Sequence, residues 1–200
     1  RTIQQRDLPA GHDPSRRVLG VIRPTAEIVG RLTHTGHVGL LGTTGTVASR
    51  SYPMEIAKLY PDVTVVGEAC PMWVPLVENG EADSPGADYF VQKHIERLFN
   101  RDPQIDTVIL GCTHYPLLAG AIGYTMGESV TLVSSADETA RDVYAELASR
   151  DLFAPPGNEP DRRFYATGDP ARFGELAGRF LGPEVGAARS ISQISSGVSA

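Results

Sequence analysis

Short clusters of branched apolar residues recur along the chain with helically periodic segments between them, and this alternation constrains the fold more than any other feature. Val18–Ile22, Val38–Leu41, Val63–Val66, Thr107–Leu110 and Val130–Val133 each have the length and composition of a strand buried on both faces. Between them the spacing predicts helices. One is seeded by Pro24 and Thr25, with Ile28, Val29 and Leu32 on one face, and another covers about Ser49 to Tyr60, with Ile56, Leu59 and Tyr60 inward. A third runs from Ala87 to Phe99 with the stripe Phe90, Val91, Ile95, Leu98 and Phe99, and a fourth from Pro116 to Met126. Strands separated by helices pair in parallel through crossovers that cover both faces, so residues 18–136 are expected to form a doubly wound α/β domain.

Past residue 136 the pattern thins. Asp137–Leu152 reads as a helix with Ala140, Val143, Tyr144 and Leu147 on one side, followed by a Pro/Gly-rich loop at Ala154–Pro160. A short strand at Arg163–Ala166 and a helix at Pro170–Phe180 complete the segment. One strand and two helices bury too little surface to stand alone, so residues 137–187 must pack on something else, either the sheet of the main domain or a missing partner. Residues 1–6 read as the end of a helix, and residues 7–17, broken by Pro9, Gly11 and Pro14, read as a loop. The serine-rich stretch 188–200 is expected to be a disordered tail.

The balance of 18 Lys+Arg against 24 Asp+Glu gives a net charge of −6, which argues against a nucleic-acid partner. No apolar run approaches the roughly 18 residues of a membrane span and no signal pattern opens the chain, so a cytoplasmic protein without membrane contact is expected. Two cysteines, Cys70 and Cys112, without CxxC spacing indicate neither a disulfide framework nor a zinc template.

In open parallel sheets ligands bind beyond the carboxyl ends of the strands. Two of those exits are unusual. Gly42-Thr43-Thr44-Gly45-Thr46 places hydroxyls and glycines where a helix begins, a setting for a carboxylate or phosphate, although helix caps explain the same residues. The P-loop lysine and the GxGxxG pattern are missing, which disfavours a nucleotide. Gly111-Cys112-Thr113-His114-Tyr115-Pro116 sets Cys112 at a strand end facing a helix N-terminus, where the dipole favours a thiolate and makes it a base or nucleophile candidate. The alternative is an inert buried thiol. Cys70, beside Pro71 and Trp73, reads as packing. Glu78, at the end of the apolar run Val74–Val77, is either a solvated carboxylate or the partner of a histidine.

Taken together, Gly111-Cys112-Thr113-His114-Tyr115-Pro116-Leu117-Leu118, Ala69-Cys70-Pro71, Val74-Pro75-Leu76-Val77-Glu78 and Gly42-Thr43 with Thr46-Val47 resemble glutamate racemase, of the aspartate/glutamate racemase superfamily. Ser49, Tyr52, Glu138-Thr139-Ala140 and Tyr165-Ala166-Thr167-Gly168-Asp169-Pro170 add to the resemblance, which runs from about Val18 to Gly182. It implies a cofactor-independent, two-base interconversion of L- and D-glutamate that supplies peptidoglycan, with two cysteines on opposite faces of the α-carbon. It implies Cys112 as the cysteine that takes the proton from L-glutamate, assisted by His114. Thr113, His114, Thr43 and Thr46 are implied as substrate-binding residues and Glu78 as a carboxylate near the histidine, with no metal. Cys70 matches a position that is not catalytic. The family's Asp-Ser-Gly, Pro-Tyr-Gly and Ala-Cys-Asn-Thr segments are not in this sequence, so the resemblance implies that the first catalytic cysteine is missing and that the chain alone is inactive. It also implies that residues 1–17 are a remnant of the family's first domain plus a linker, and that residues 137–187 belong with it to a second, incomplete α/β domain. A homodimer, a non-catalytic anion-binding module and another amino-acid racemase of the superfamily remain open.

Overall fold

Four of the five strands predicted within residues 18–136 form, and they pair as one parallel sheet. The computed structural model describes residues 7, 8 and 18–191, which fall into two compact units, Arg1–Leu152 and Phe153–Ala200. In the first unit β1 (His37–Gly42), β2 (Thr64–Ala69), β3 (Thr107–Leu110) and β4 (Thr131–Ser134) are ordered β2-β1-β3-β4. The registers Leu41↔Glu68 and Leu41↔Leu110 align the carboxyl ends of the central strands.

Alternation along the strands sends successive side chains to two cores. Val38, Leu40 and Ile109 pack with Ala26 and Val29 of α1 (Ile22–Leu32) and with Tyr52 and Ile56 of α3 (Ser51–Leu59). Leu41, Val108 and Leu110 pack on the opposite face with Trp73 of α4 (Trp73–Glu78), Val91, Ile95 and Leu98 of α5 (Pro85–Arg101), and Ile122 of α6 (Ala119–Met126). The doubly wound arrangement follows from strands that are apolar on both sides.

Several expectations change in detail. Val18–Ile22 is not a strand: residues 18–20 are irregular, Val21 is 55% exposed, and Ile22 opens α1. Pro24 suits a first helical turn, and an apolar cluster without a neighbouring ladder has nothing to pair with. The helix predicted from Ser49 to Tyr60 is two helices. Thr43 caps α2 (Thr44–Ser49) by accepting the Thr46 N–H at 3.2 Å, and Arg50, at φ 53°, breaks the run before α3, leaving Leu59 exposed. A 3-10 turn at Tyr115–Leu118 precedes α6. The helix predicted from Asp137 begins earlier as α7 (Ser135–Ser149), because Ser134 accepts the Asp137 N–H at 3.3 Å. It packs against α1, and its buried residues are Ser135 and Glu138 rather than the predicted stripe, of which Val143 and Tyr144 are exposed.

At the amino end of the sheet, Asp106 organises the α1–β1 turn. It accepts hydrogen bonds from the Thr33 hydroxyl at 2.6 Å and from the His34 and Thr35 N–H groups at 2.7 and 2.9 Å. Burial pushes its carboxyl up, but these donors and the Thr107 hydroxyl outweigh it and bring the value down to about 2 from 3.8. A carboxylate whose folded value lies below its unfolded one stabilises the fold above the unfolded value, and that contribution disappears as pH falls through the folded one. The first unit is therefore expected to lose stability between about pH 4 and pH 2. Acid titration followed by circular dichroism should show this loss flattened in Asp106→Asn.

In the second unit β5 (Tyr165–Ala166) pairs in parallel with β6 (Arg189–Ser190), a strand absent from the sequence reading, and α8 (Pro170–Leu181) lies between them in the chain. Asp169 caps α8 by accepting the Ala171 N–H at 2.9 Å. Ser190, assigned above to the tail, thus belongs to a strand; residues 1–6, 9–17 and 192–200 lie outside the described set. Among the described residues no helix is long and apolar enough to cross a membrane.

Candidate active site

Two hydrogen bonds continue the ladder past the strand ends. The Cys70 N–H donates to the Gly42 carbonyl at 2.9 Å and the Gly111 N–H to the Leu41 carbonyl at 2.8 Å. Thr43, Cys70 and Cys112 consequently leave three neighbouring strands at one edge of the sheet.

His114 is the centre of the arrangement. Its Nε2 lies 3.1 Å from Glu78 Oε1, and its Nδ1 lies 3.3 Å from Thr113 Oγ1 and 3.9 Å from Cys112 Sγ. A carboxylate only accepts, so Nε2 carries the proton shared with Glu78, and Nδ1 of the neutral ring is left to accept from the Cys112 thiol. This is a carboxylate–imidazole–thiol series in which the first member fixes the tautomer of the second and the second faces the sulfur of the third. Glu78 reaches it because β2 runs through Cys70 into α4, at whose last residue Glu78 stands.

Cys112 is half-buried and Cys70 fully buried. Burial pushes the Cys112 thiol above its ordinary value, and hydrogen bonds from the His114 and Tyr115 N–H groups pull it only partly back. The helix end that the sequence suggested would favour a thiolate does supply donors, but desolvation outweighs them. Burial pushes the Cys70 thiol far higher, with the Glu68 carboxylate adding to it. Cys70 serves packing through its backbone: its carbonyl accepts the Tyr115 hydroxyl at 3.1 Å, which ties the β2 exit to the β3 exit.

Thr43 and Thr46 stand on the neighbouring exit, half-buried, with their hydroxyl oxygens 3.0 Å apart. Part of their capacity is spent on capping α2, as the helix-cap reading of this loop expects. His94 is placed elsewhere, on α5, buried with its Nδ1 2.6 Å from Glu68 Oε1. Among the described residues no three His, Cys, Asp or Glu side chains are grouped to hold a metal ion.

Two residues near Cys112 escaped attention as site candidates. The Ser135 hydroxyl donates to the Leu110 carbonyl at 2.8 Å, and the buried Tyr52 phenol faces both Ser135 and Cys112. Ser135 carries no local signal and Tyr52 only its place in the resemblance, because each reaches the site from a helix distant in sequence.

A family model described as Asp/Glu/Hydantoin racemase matches residues 16–143. The chain belongs to the Asp/Glu/hydantoin racemase family. The glutamate racemase of Beutenbergia cavernae is 47% identical to it over 177 residues, covering 84% of this chain and 60% of that protein. That of Corynebacterium diphtheriae is 45% identical over 168 residues, covering 84% and 62%. This chain therefore spans about 60% of the length of these curated relatives. Among solved structures, a glutamate racemase isoform from Bacillus anthracis superposes with a TM-score of 0.78 at 34% identity, covering 94% of this chain and 68% of that one. The glutamate racemase from Thermus thermophilus, in complex with β-chloro-D-alanine, gives 0.74 at 37% identity, covering 94% and 66%.

Proposed function

We propose that this chain carries one half of the acid–base machinery of a glutamate racemase, with Cys112 as the base that removes the α-proton of L-glutamate. The observation that carries the reading is the Glu78–His114–Cys112 series, with Nε2 at 3.1 Å from the carboxylate and Nδ1 turned to the sulfur at 3.9 Å. The similarity to glutamate racemases supports the substrate. The role of the complete enzyme is to supply D-glutamate for peptidoglycan in the cytoplasm.

In the reaction Cys112 passes its own proton to His114 Nδ1, and the imidazolium is held by Glu78. The thiolate then takes the α-proton: the Cα–H bond breaks, its electron pair spreads into the α-carboxylate, and the sulfur becomes a thiol again. An α-proton of an amino acid is a very weak acid, so a thiol with a raised affinity for protons is the stronger base for the task. No cofactor takes up the carbanion charge. Donors at the exits of β1 and β3, including the hydroxyls of Thr43, Thr46 and Thr113, meet the substrate carboxylates. Inversion also requires an acid on the opposite face. Cys70 does not supply it, being fully buried. This chain is therefore expected to exchange the α-proton of L-glutamate with solvent without accumulating D-glutamate.

Iodoacetamide labelling read by mass spectrometry tests the proposal. Cys112 is expected to be alkylated and Cys70 spared, and millimolar L-glutamate is expected to slow the labelling while L-aspartate does so less. Equal protection by acetate or sulfate would instead favour a general anion-binding module.

A further inference from the structure

Ser135 has no part in the chemistry above, yet its hydroxyl is buried, with the residue only 6% exposed. That hydroxyl donates to the Leu110 carbonyl at 2.8 Å, so the first residue of α7 grips the last residue of β3. The other end of the same peptide unit is held as well, since the Gly111 N–H donates to the Leu41 carbonyl at 2.8 Å. The Leu110–Gly111 peptide is thus pinned at both its oxygen and its nitrogen. Pinning matters here because Gly111 has no side chain to restrict its own dihedral angles. Free rotation at Gly111 would swing the next side chain, which is Cys112.

A larger residue could not take over this duty. A Cβ on Gly111 would stand 2.8 Å from Leu40 Cδ1, 3.2 Å from the Leu41 carbonyl oxygen and 3.3 Å from Tyr52 Cε2. Tyr52, 2% exposed, fills that space with its ring and turns its phenol toward Ser135. Secondary structure does not require the Ser135–Leu110 contact, since the β3–β4 ladder is already closed by the register Leu110↔Ser134.

We infer that Ser135, backed by Tyr52, is a positioning residue that fixes the direction in which Cys112 leaves the sheet and keeps it shielded from water. The inference rests on the reading of Cys112 as the proton-abstracting base. The titratable groups around Cys112 are His114 and Tyr115 from the β3 exit, Glu78 behind His114 on α4, Tyr52 from α3 and Cys70 from the β2 exit. Since burial is what holds the Cys112 thiol up, releasing the peptide that aims it lets water in and brings the thiol down toward its ordinary value.

The test follows Cys112 alkylation by iodoacetamide against pH in the wild-type chain, Ser135→Ala, Ser135→Thr, and Val29→Ala as a destabilised control from the same face of the sheet. Ser135→Ala is expected to shift the midpoint downward and to speed labelling at about pH 7.5 by roughly three- to tenfold. Ser135→Thr, which keeps the hydroxyl, is expected to restore the wild-type profile, and Val29→Ala to lower the melting temperature without moving the midpoint. A Ser135→Ala chain that melts earlier but keeps the wild-type midpoint and rate would overturn the inference. If Ser135→Ala gives no cooperative melt, Tyr52→Phe replaces it, with a smaller downward shift expected and an unmoved midpoint counting against the proposal. Failure of L-glutamate to protect wild-type Cys112 would reject the base reading, while the midpoint comparison would still decide the role of Ser135.

Discussion

Cys112→Ala is expected to abolish deuterium incorporation at the α-carbon of L-glutamate in deuterated water, a loss of about three orders of magnitude. Removal of the sulfur leaves His114 and Glu78 in place but takes away the only half-exposed thiol of the chain's two. Cys70→Ala is expected to leave the exchange within about twofold, because Cys70 is fully buried and contributes to the site through its carbonyl, which alanine retains. Proton magnetic resonance of the substrate measures both. A Cys70→Ala chain that loses exchange while Cys112→Ala keeps it would reverse the assignment.

Trp73→Ala is expected to be the most destabilising single change near the site. Trp73 is fully buried between the two parts of the arrangement, with its ring 4.8 Å from Tyr115 at 62° and 6.1 Å from His94 at 83°. Truncation opens a cavity under both the β3 exit and α4, at a cost of about 4 kcal/mol. In a unit of this size that corresponds to a fall in melting temperature of roughly 10 °C. Trp73→Phe should cost much less, for a specific reason. The indole Nε1 is buried without a hydrogen-bond partner, so phenylalanine loses volume but also removes an unsatisfied donor. Thermal melts followed by circular dichroism separate the two variants, and equal losses would show that the indole nitrogen is not the liability the structure indicates.

Strand identity was legible in the sequence where burial on both faces wrote it, as in Val38–Leu41 and Thr107–Leu110. It was not legible at Val18–Ile22, where the same residue types stand beside Pro24 with no neighbouring ladder, because a strand is a property of a pair and composition describes one member. The break at Arg50 was hidden for a related reason: nothing in its side chain announces a left-handed backbone at φ 53°. Cys112, Thr113 and His114 drew attention as neighbours. That His114 turns Nδ1 to the sulfur and Nε2 to Glu78, 36 positions away, depends on how far α4 carries the chain back over the β3 exit. Ser135 could not be found at all from spacing, since its partner Leu110 lies 25 positions earlier and its own neighbours read as an ordinary helix start.

The edge of the sheet carries a consequence of a different kind. The strand order puts β2 at one edge and β4 at the other; on β2 the Thr64 and Cys70 N–H groups point inward to Gly36 and Gly42, so the backbone groups of the intervening odd-numbered residues point away from the sheet. One of those outward carbonyls, that of Gly67, accepts from the Arg101 guanidinium at 3.0 Å, while the same guanidinium pairs with Glu68. An open strand edge invites pairing with a strand from another molecule. Here a long cationic side chain from α5 lies across the β2 edge at its middle, so a strand from a second molecule would first have to displace an ion pair, and that edge is guarded against growing by self-association.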